Sequence, residues 1–213
     1  MIAKRIVLIG AGGHLKSVLD TIIRSNEYNQ VVITDPQMIP GTEILGCKVV
    51  GTDDELERLK REGFNFAFIS IGSIKDTSLR RQLAEKLKRV GFKSPIIIDP
   101  SAIIAESAKI GEGTFIGKGV IINTDAKVGS YSIINSGSII EHECCVGDFT
   151  HVAVGSTLCG GVTIEDDSLV GSGSVIIQGV RIGKHSIVGA NSTVLTNVED
   201  GMKVYGIIRK SDE

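Results

Sequence analysis

Hydrophobic and polar residues follow one rhythm up to about Pro95 and a different one beyond it. Arg5 to Gly10 is a short apolar run ending in glycine, the pattern of a strand buried on both faces of a parallel sheet. From His14 to Arg24, apolar residues at 15, 18, 19, 22 and 23 form one helical stripe. Val31 to Ile33 reads as a second strand, stopped by Asp35-Pro36. Thr52 to Glu55 has the S/T-x-x-E form of a capping box and opens a helix with Leu56 and Leu59 on one face. Phe64 to Ile71 is a further strand. Leu79, Leu83, Leu87 and Val90 stripe a charged helix that stops at Gly91, and Lys93 to Ile98 returns as a strand. This alternation predicts a small parallel sheet with helices on its faces, an α/β Rossmann-like domain over residues 1–95.

From Pro100 onward proline disappears and a period of six takes over. Stepping by six from Ile98 to Val194 meets Ile, Val or Leu at all 17 stops. Two residues before a stop the side chain is mostly small, as at Ala102, Ser132, Cys144 and Ser156. One residue after it, Gly, Asn or an acid recurs, as at Gly111, Gly117, Asn123 and Gly129, and the Gly and Asn positions are expected to need positive φ. Neither a helix nor a simple strand has this period. A repeat of six is the mark of a hexapeptide parallel β-helix, here over residues 96–213. Three hexads close a triangular coil of 18 residues, and coils stack about 4.8 Å apart through backbone hydrogen bonds.

Composition agrees. The chain has 26 glycines in 213 residues, no Trp and only nine Phe plus Tyr. A narrow prism has room for Ile, Val and Leu but not for large rings. With 23 basic and 25 acidic residues the net charge is −2, which carries no footprint for nucleic acid or an anionic membrane surface. No apolar run approaches the roughly 18 residues of a membrane span. Cys47, Cys144, Cys145 and Cys159 form no C-x-x-C pair and no disulfide framework, so a reduced, cytoplasmic protein without a zinc site is expected.

The coil period identifies neighbours. Thr124, His142, Gly160, Gln178 and Thr196 share one edge column, and Ser136, Val154, Ser172 and Ala190 share another. His142-Glu143 interrupts the bland turn chemistry with an imidazole and a carboxylate, beside Gly160-Gly161 of the next coil. A base next to backbone N–H donors is what acyl transfer requires. His151 lies half a coil from His142 and reaches it only if a second chain intervenes, and His185 reads as a solvated turn residue. In the first domain, Gly10-Ala-Gly12-Gly13-His14 lets backbone approach a phosphate at a helix N-terminus. A full dinucleotide fingerprint would need glycine at Leu15. Asp35 ends the second strand, either as a ribose or base acceptor or as a turn former before Pro36.

The opening IGAGGHLKSV, the SIG around Gly72, the hexapeptide prism and the segment IIEHECCVGDFTHVAVGSTLCGGV together resemble the sialic-acid O-acetyltransferase and UDP-4-amino-sugar N-acetyltransferase family of NeuD/PglD type. The resemblance implies a left-handed β-helix and an acetyl-CoA-dependent transferase, without a metal, acting on an amino or hydroxyl group of a nucleotide-linked sugar. By the same resemblance, His142 is the general base and Glu143 raises its basicity. His151, from a facing subunit of a homotrimer, meets the thioester end of acetyl-CoA, and the Gly160 amide holds its carbonyl. Ser172 and Ala190 match the pantetheine path. Gly12, Gly13, His14, Asp35 and Gly72 match the sugar-nucleotide pocket. The chain departs from the family pattern at Leu15, at Val154 in place of proline, and at Gly206-Ile207-Ile208-Arg209-Lys210 near the end. Competing classes are a hexapeptide acyltransferase with a non-sugar acceptor, a non-catalytic scaffold, and a γ-carbonic-anhydrase-like metalloenzyme. The last needs three converging histidines, which the spacings of His142, His151 and His185 do not supply.

Overall fold

The computed structural model describes residues 4–72 and 76–209. The chain divides into two compact units. One comprises the residues up to Gly72 with Ser78–Pro100, and the other runs from Ser101 onward and includes Asp76 and Thr77.

In the first unit, β1 (Arg5–Ile9) is almost wholly buried, as its continuous apolar run requires. It is followed by α1 (Gly13–Ser25), β2 (Gln30–Thr34), β3 (Glu43–Ile44), β4 (Cys47–Gly51), α2 (Leu56–Arg61), β5 (Phe66–Ile69) and α3 (Ser78–Val90). The sheet order is β3-β4-β2-β1-β5, parallel except for the β3–β4 pair. Strand order reverses between β1 and β5. Such a switch point opens a crevice at the carboxyl ends of the strands, which is where open α/β sheets bind ligands.

Four local readings change. The β3–β4 hairpin was not legible, because its two-residue turn is Leu45-Gly46, both at positive φ (47° and 79°). That is the I′ geometry usually signalled by Asn-Gly. Thr52 caps a 3₁₀ turn, Asp53–Glu55, by accepting from the Asp54 N–H (3.3 Å). Glu55 pairs with Arg58 (2.6 Å) instead of completing a capping box. On α3, Leu83, Ala84 and Leu87 are buried, whereas Leu79 is exposed. The strand expected over 93–98 reduces to a single Lys93 bridge with Phe66 and the two-residue strand Ile97–Ile98.

In the second unit, two-residue strands recur every six residues from Ile103–Ile104 to Thr193–Val194. Inside the prism each pairs in parallel with the strands 18 residues before and after it, as Lys127–Val128 does with Lys109–Ile110 and Cys145–Val146, while at the far end Ile187–Val188 and Thr193–Val194 pair with Lys203–Val204 and Ile207–Ile208. Three flat faces result. From Ile116 to Val194 every sixth residue is at most 4% exposed, while Ile98 stays 38% exposed and Ile104 and Ile110 are partly buried. The prism core therefore closes from its second coil onward.

The small residues before each stop do more than fit. Ser138, Ser156 and Ser174 each donate Oγ–H to a carbonyl 15 residues ahead, at Ala153, Gly171 and Gly189, all at 2.8 Å. Ser132 and Ser168 do the same at a second corner. These ladders add a side-chain donor to the corner carbonyls, two of which, at Ala153 and Gly171, also accept a backbone N–H (3.2 Å each).

The recurrent glycine one residue after the stop has a different cause from the one expected. Positive φ falls three residues after each stop from Ile110 to Val188, as at Gly113, Gly119, Asp125, Tyr131, Gly137 and Glu143. Gly111, Gly129 and Gly147 instead lie where a β-carbon would stand 2.6–2.7 Å from backbone of the next coil. They are glycine because adjacent coils touch there.

Candidate active site

His142 sits at the corner that follows strand Ile139–Ile140, two residues after an interior stop. Its side chain is 55% exposed, and Nδ1 lies 3.1 Å from Glu143 Oε2. Glu143 adopts the left-handed conformation of the corner (φ 60°), which turns its carboxylate back onto the neighbouring imidazole. The His142 N–H faces Glu141 Oε2 (3.4 Å), an oxygen that also accepts from Asn123 Nδ2 (3.0 Å). One coil later, Gly160 lies directly against the ring. A β-carbon there would be 2.5 Å from His142 Cε1 and Nε2. The Gly161 N–H donates to the His142 carbonyl (2.9 Å), while among the described residues the Gly160 N–H has no acceptor.

The grouping of His142, Glu143 and Gly160 thus exists within one chain. The arrangement has chemical content: a carboxylate holds one ring nitrogen, the side chain is half exposed, and the other nitrogen lies against Gly160, whose N–H is unengaged among the described residues.

His151 does not join them. It points outward from strand His151–Val152, on the prism face opposite the His142 corner, with Nε2 3.4 Å from Asn135 Nδ2. Asn135 Oδ1 accepts from the Ser136 N–H (2.9 Å), so its amide group presents NH₂ to the histidine. Asn135 and Glu141 were not singled out by sequence. The available signal was an Asn and a Glu standing where other hexads carry glycine. Ser172 and Ala190 are exposed, at the corner after the His151 face.

In the first unit, Gly10 turns sharply at φ 97°, where a β-carbon would collide with Ile71. α1 then begins at Gly13 with no side-chain cap and no acid in its first turn. Gly72, after β5, lies across from His14, with a hypothetical β-carbon 3.6 Å from His14 Cβ. Asp35 Oδ2 accepts from the Ala11 N–H (2.7 Å) and Oδ1 from the Gln37 N–H (2.8 Å). Asp35 therefore both forms the turn and tethers the glycine loop. Gly12, Gly13, His14, Asp35 and Gly72 all gather at the carboxyl edge of the sheet.

Burial pushes the Cys144 thiol up to about 11. This thiol faces the prism interior, behind the His142 corner, and donates to the Cys159 carbonyl (3.1 Å).

Residues 5–87 match the PglD N-terminal domain family, and residues 107–142 and 161–196 match the bacterial transferase hexapeptide repeats. The stretch between the two repeat matches is the coil from Glu143 through His151 to Gly160. A histidine-to-alanine mutant of GDP-perosamine N-acetyltransferase from Caulobacter crescentus, solved with CoA and GDP-perosamine, is similar at 33% identity. The match covers 97% of this chain and 95% of that one, with a TM-score of 0.86. The chain belongs to the PglD-type hexapeptide acetyltransferase family. The prism is accordingly the left-handed β-helix of that family. The acetyltransferase domain of PglB from Neisseria gonorrhoeae, solved with acetyl coenzyme A, shares 29% identity over 96% of this chain and 97% of its own, at a TM-score of 0.88. UDP-N-acetylbacillosamine N-acetyltransferase of Bacillus subtilis is 33% identical over 116 residues. That match spans 53% of this chain and about half (51%) of the curated relative.

Proposed function

We propose that this protein transfers an acetyl group from acetyl-CoA to the amino group of a nucleotide-linked sugar. The observation that carries the reading is the His142 ring, held by Glu143 and lying on Gly160. An N-acetyl product is favoured over O-acetyl because two of the similar proteins named above, from Caulobacter crescentus and Bacillus subtilis, are N-acetyltransferases.

In this reading His142 Nε2 removes the proton of the acceptor amine as its nitrogen bonds to the acetyl carbon. Glu143 holds the ring through Nδ1 and stabilises the imidazolium that forms. The C–S bond breaks, and the imidazolium returns the proton to the departing thiolate. No covalent enzyme intermediate is required. The Gly160 N–H accompanies the thioester carbonyl, and the glycine leaves the space that a β-carbon would fill. Ser172 and Ala190 line the pantetheine path, and the Gly12–Gly13–His14 loop with Asp35 and Gly72 takes the nucleotide.

His151 joins the site from a neighbouring chain of a homotrimer. This assembly is supported by one prism face whose outward residues include Ile103, Ile121, Ile139, Val175 and Ile207, with Ile103 66% and Ile207 71% exposed. An apolar stripe of this kind marks a contact surface. The four free thiols fit a cytoplasmic setting.

Thermal unfolding with UDP, GDP and CMP and their 4-amino sugars, each with and without acetyl-CoA, tests the reading. A ligand that binds the native state raises the midpoint by mass action. Acetyl-CoA and one nucleotide series should raise it, and the matching amino sugar should gain one acetyl group. Acetylation of a non-sugar amine, with no response to any nucleotide, would contradict the reading.

A further inference from the structure

The prism face that carries His151 has an order of side chains along its length that the chemistry above does not use. In direct register, one coil apart, stand His151, Leu169, Ile187 and Lys203. Leu169 and Ile187 are half-buried, and Lys203 is exposed. Among the described residues the Lys203 ammonium has no ion-pair partner. Two cations of the same end of the prism are engaged by contrast, Arg181 with Glu165 (3.0 Å) and Lys184 with Asp166 (3.5 Å).

Two residues beyond Lys203, Tyr205 stands at the corner that Ser172 and Ala190 occupy in the preceding coils. Its ring lies on Gly189, where a β-carbon would collide with Cδ1 and Cε1. Earlier coils hold Asn135, Ala153 and Gly171 at the same position. Tyr205 is 68% exposed, and among the described residues its hydroxyl has no hydrogen-bond partner. The fold thus seats the ring on a glycine and leaves most of it in water. A ring held in this way is a stacking surface for a planar heterocycle.

Along this edge an imidazole is followed by two aliphatic side chains, an ammonium group and an exposed ring. A coenzyme A thioester has its parts in the same order: thioester, pantetheine arm, phosphates, adenine. The lengths agree. His151 and Lys203 are three coils apart, about 14 Å at the spacing of adjacent strands. Extended pantetheine covers about 16 Å from its sulfur to the first phosphorus at standard bond lengths. In a nucleotide-linked amino sugar only one pyranose ring lies between amine and diphosphate, too little for this separation. We propose that Lys203 and Tyr205 hold the nucleotide end of acetyl-CoA, Lys203 as counter-ion to its phosphates and Tyr205 as the surface on which its adenine stacks. The inference rests on the donor reading above and deepens it. Leu169 and Ile187 then cover the methylenes of the arm, beside Ser172 and Ala190.

The test is kinetics and ligand binding on the full chain with Tyr205→Ala, Tyr205→Phe and Lys203→Gln. Both positions are exposed, and the melting temperature without ligand checks folding. Tyr205→Ala should raise KM for acetyl-CoA about tenfold at unchanged kcat, the scale of one lost base stack. Tyr205→Phe keeps the ring and should stay near wild type. Lys203→Gln should raise the same KM about threefold, the scale of an exposed charge pair, and the gap should close at high salt. KM for the acceptor should not move in any variant. Two fragments separate the ends of the ligand: inhibition by adenosine bisphosphate should weaken in Tyr205→Ala and Lys203→Gln, and inhibition by pantetheine should not. The rise in melting temperature given by CoA should shrink in both, a readout independent of turnover. An unchanged acetyl-CoA KM overturns the adenine contact in Tyr205→Ala and the phosphate contact in Lys203→Gln. An equal loss with pantetheine overturns both. A wild-type protein whose melting temperature does not respond to acetyl-CoA would overturn the donor reading as well, which separates the two failures.

Discussion

The imidazole of His142 rests on the α-carbon of Gly160, so closely that a β-carbon at 160 would stand 2.5 Å from two ring atoms. Residues 18 apart in sequence are thereby held against each other at one corner of the prism. Alanine at 160 displaces the ring from Glu143, and the ring can move because it is half exposed. Gly160→Ala should lower kcat by about 10²-fold, the scale of an ångström-level misplacement, while leaving the melting temperature near wild type.

The two kinds of corner glycine should respond in opposite ways. At Gly129 a β-carbon would fall 2.6 Å from the Gly147 carbonyl carbon, so Gly129→Ala should destabilise by about 1–3 kcal/mol. At Gly119, φ is +64° and nothing lies within 4 Å, and Asp125 and Asn191 occupy the same conformation in other coils. Gly119→Asn should stay within about 0.5 kcal/mol of wild type. Urea unfolding of both variants measures the contrast.

Ser156 is fully buried and donates to the Gly171 carbonyl (2.8 Å). Ser156→Val removes that donor and leaves the corner carbonyl with only the Ser174 N–H (3.2 Å). The expected loss is about 0.5–1.5 kcal/mol, the net worth of one hydrogen bond, read as a lower urea midpoint at unchanged slope.

Burial raises the Cys144 thiol to about 11, so the folded chain keeps a proton that an unfolded chain, with a thiol near its ordinary value of 9, has released. The resulting stabilisation is complete below pH 9 and is lost as pH rises towards 11. Cys144→Ala should therefore show a shallower fall of unfolding free energy across that window than wild type.

The prism was legible because its interior admits only aliphatic side chains at one position in six, and Ile116 to Val194 obey that rule without a gap. Gly129 and its equivalents were legible as a position but not as a cause: close approach between coils depends on stacking distance, which sequence does not print. The Leu45-Gly46 turn was hidden because leucine rarely adopts positive φ, and only the pairing of β3 with β4 imposes it. His142, Glu143 and Gly160 could be aligned by counting in eighteens. The Asn135 amide against His151 could not, since that contact depends on side-chain orientation. Asp35 forms the turn before Pro36 through Gln37 and tethers the glycine loop through Ala11, and that second contact has no trace in sequence spacing.

The most direct test of the account is acetyl transfer by His142→Asn, which removes the base but keeps a polar side chain of similar reach. With acetyl-CoA and the amino sugar nucleotide found by thermal unfolding, kcat should fall by ~10²–10⁴, the usual contribution of a general base. The acetyl-CoA-induced rise in melting temperature should persist. Turnover close to wild type in that variant would contradict the assignment of His142 as the group that takes the proton.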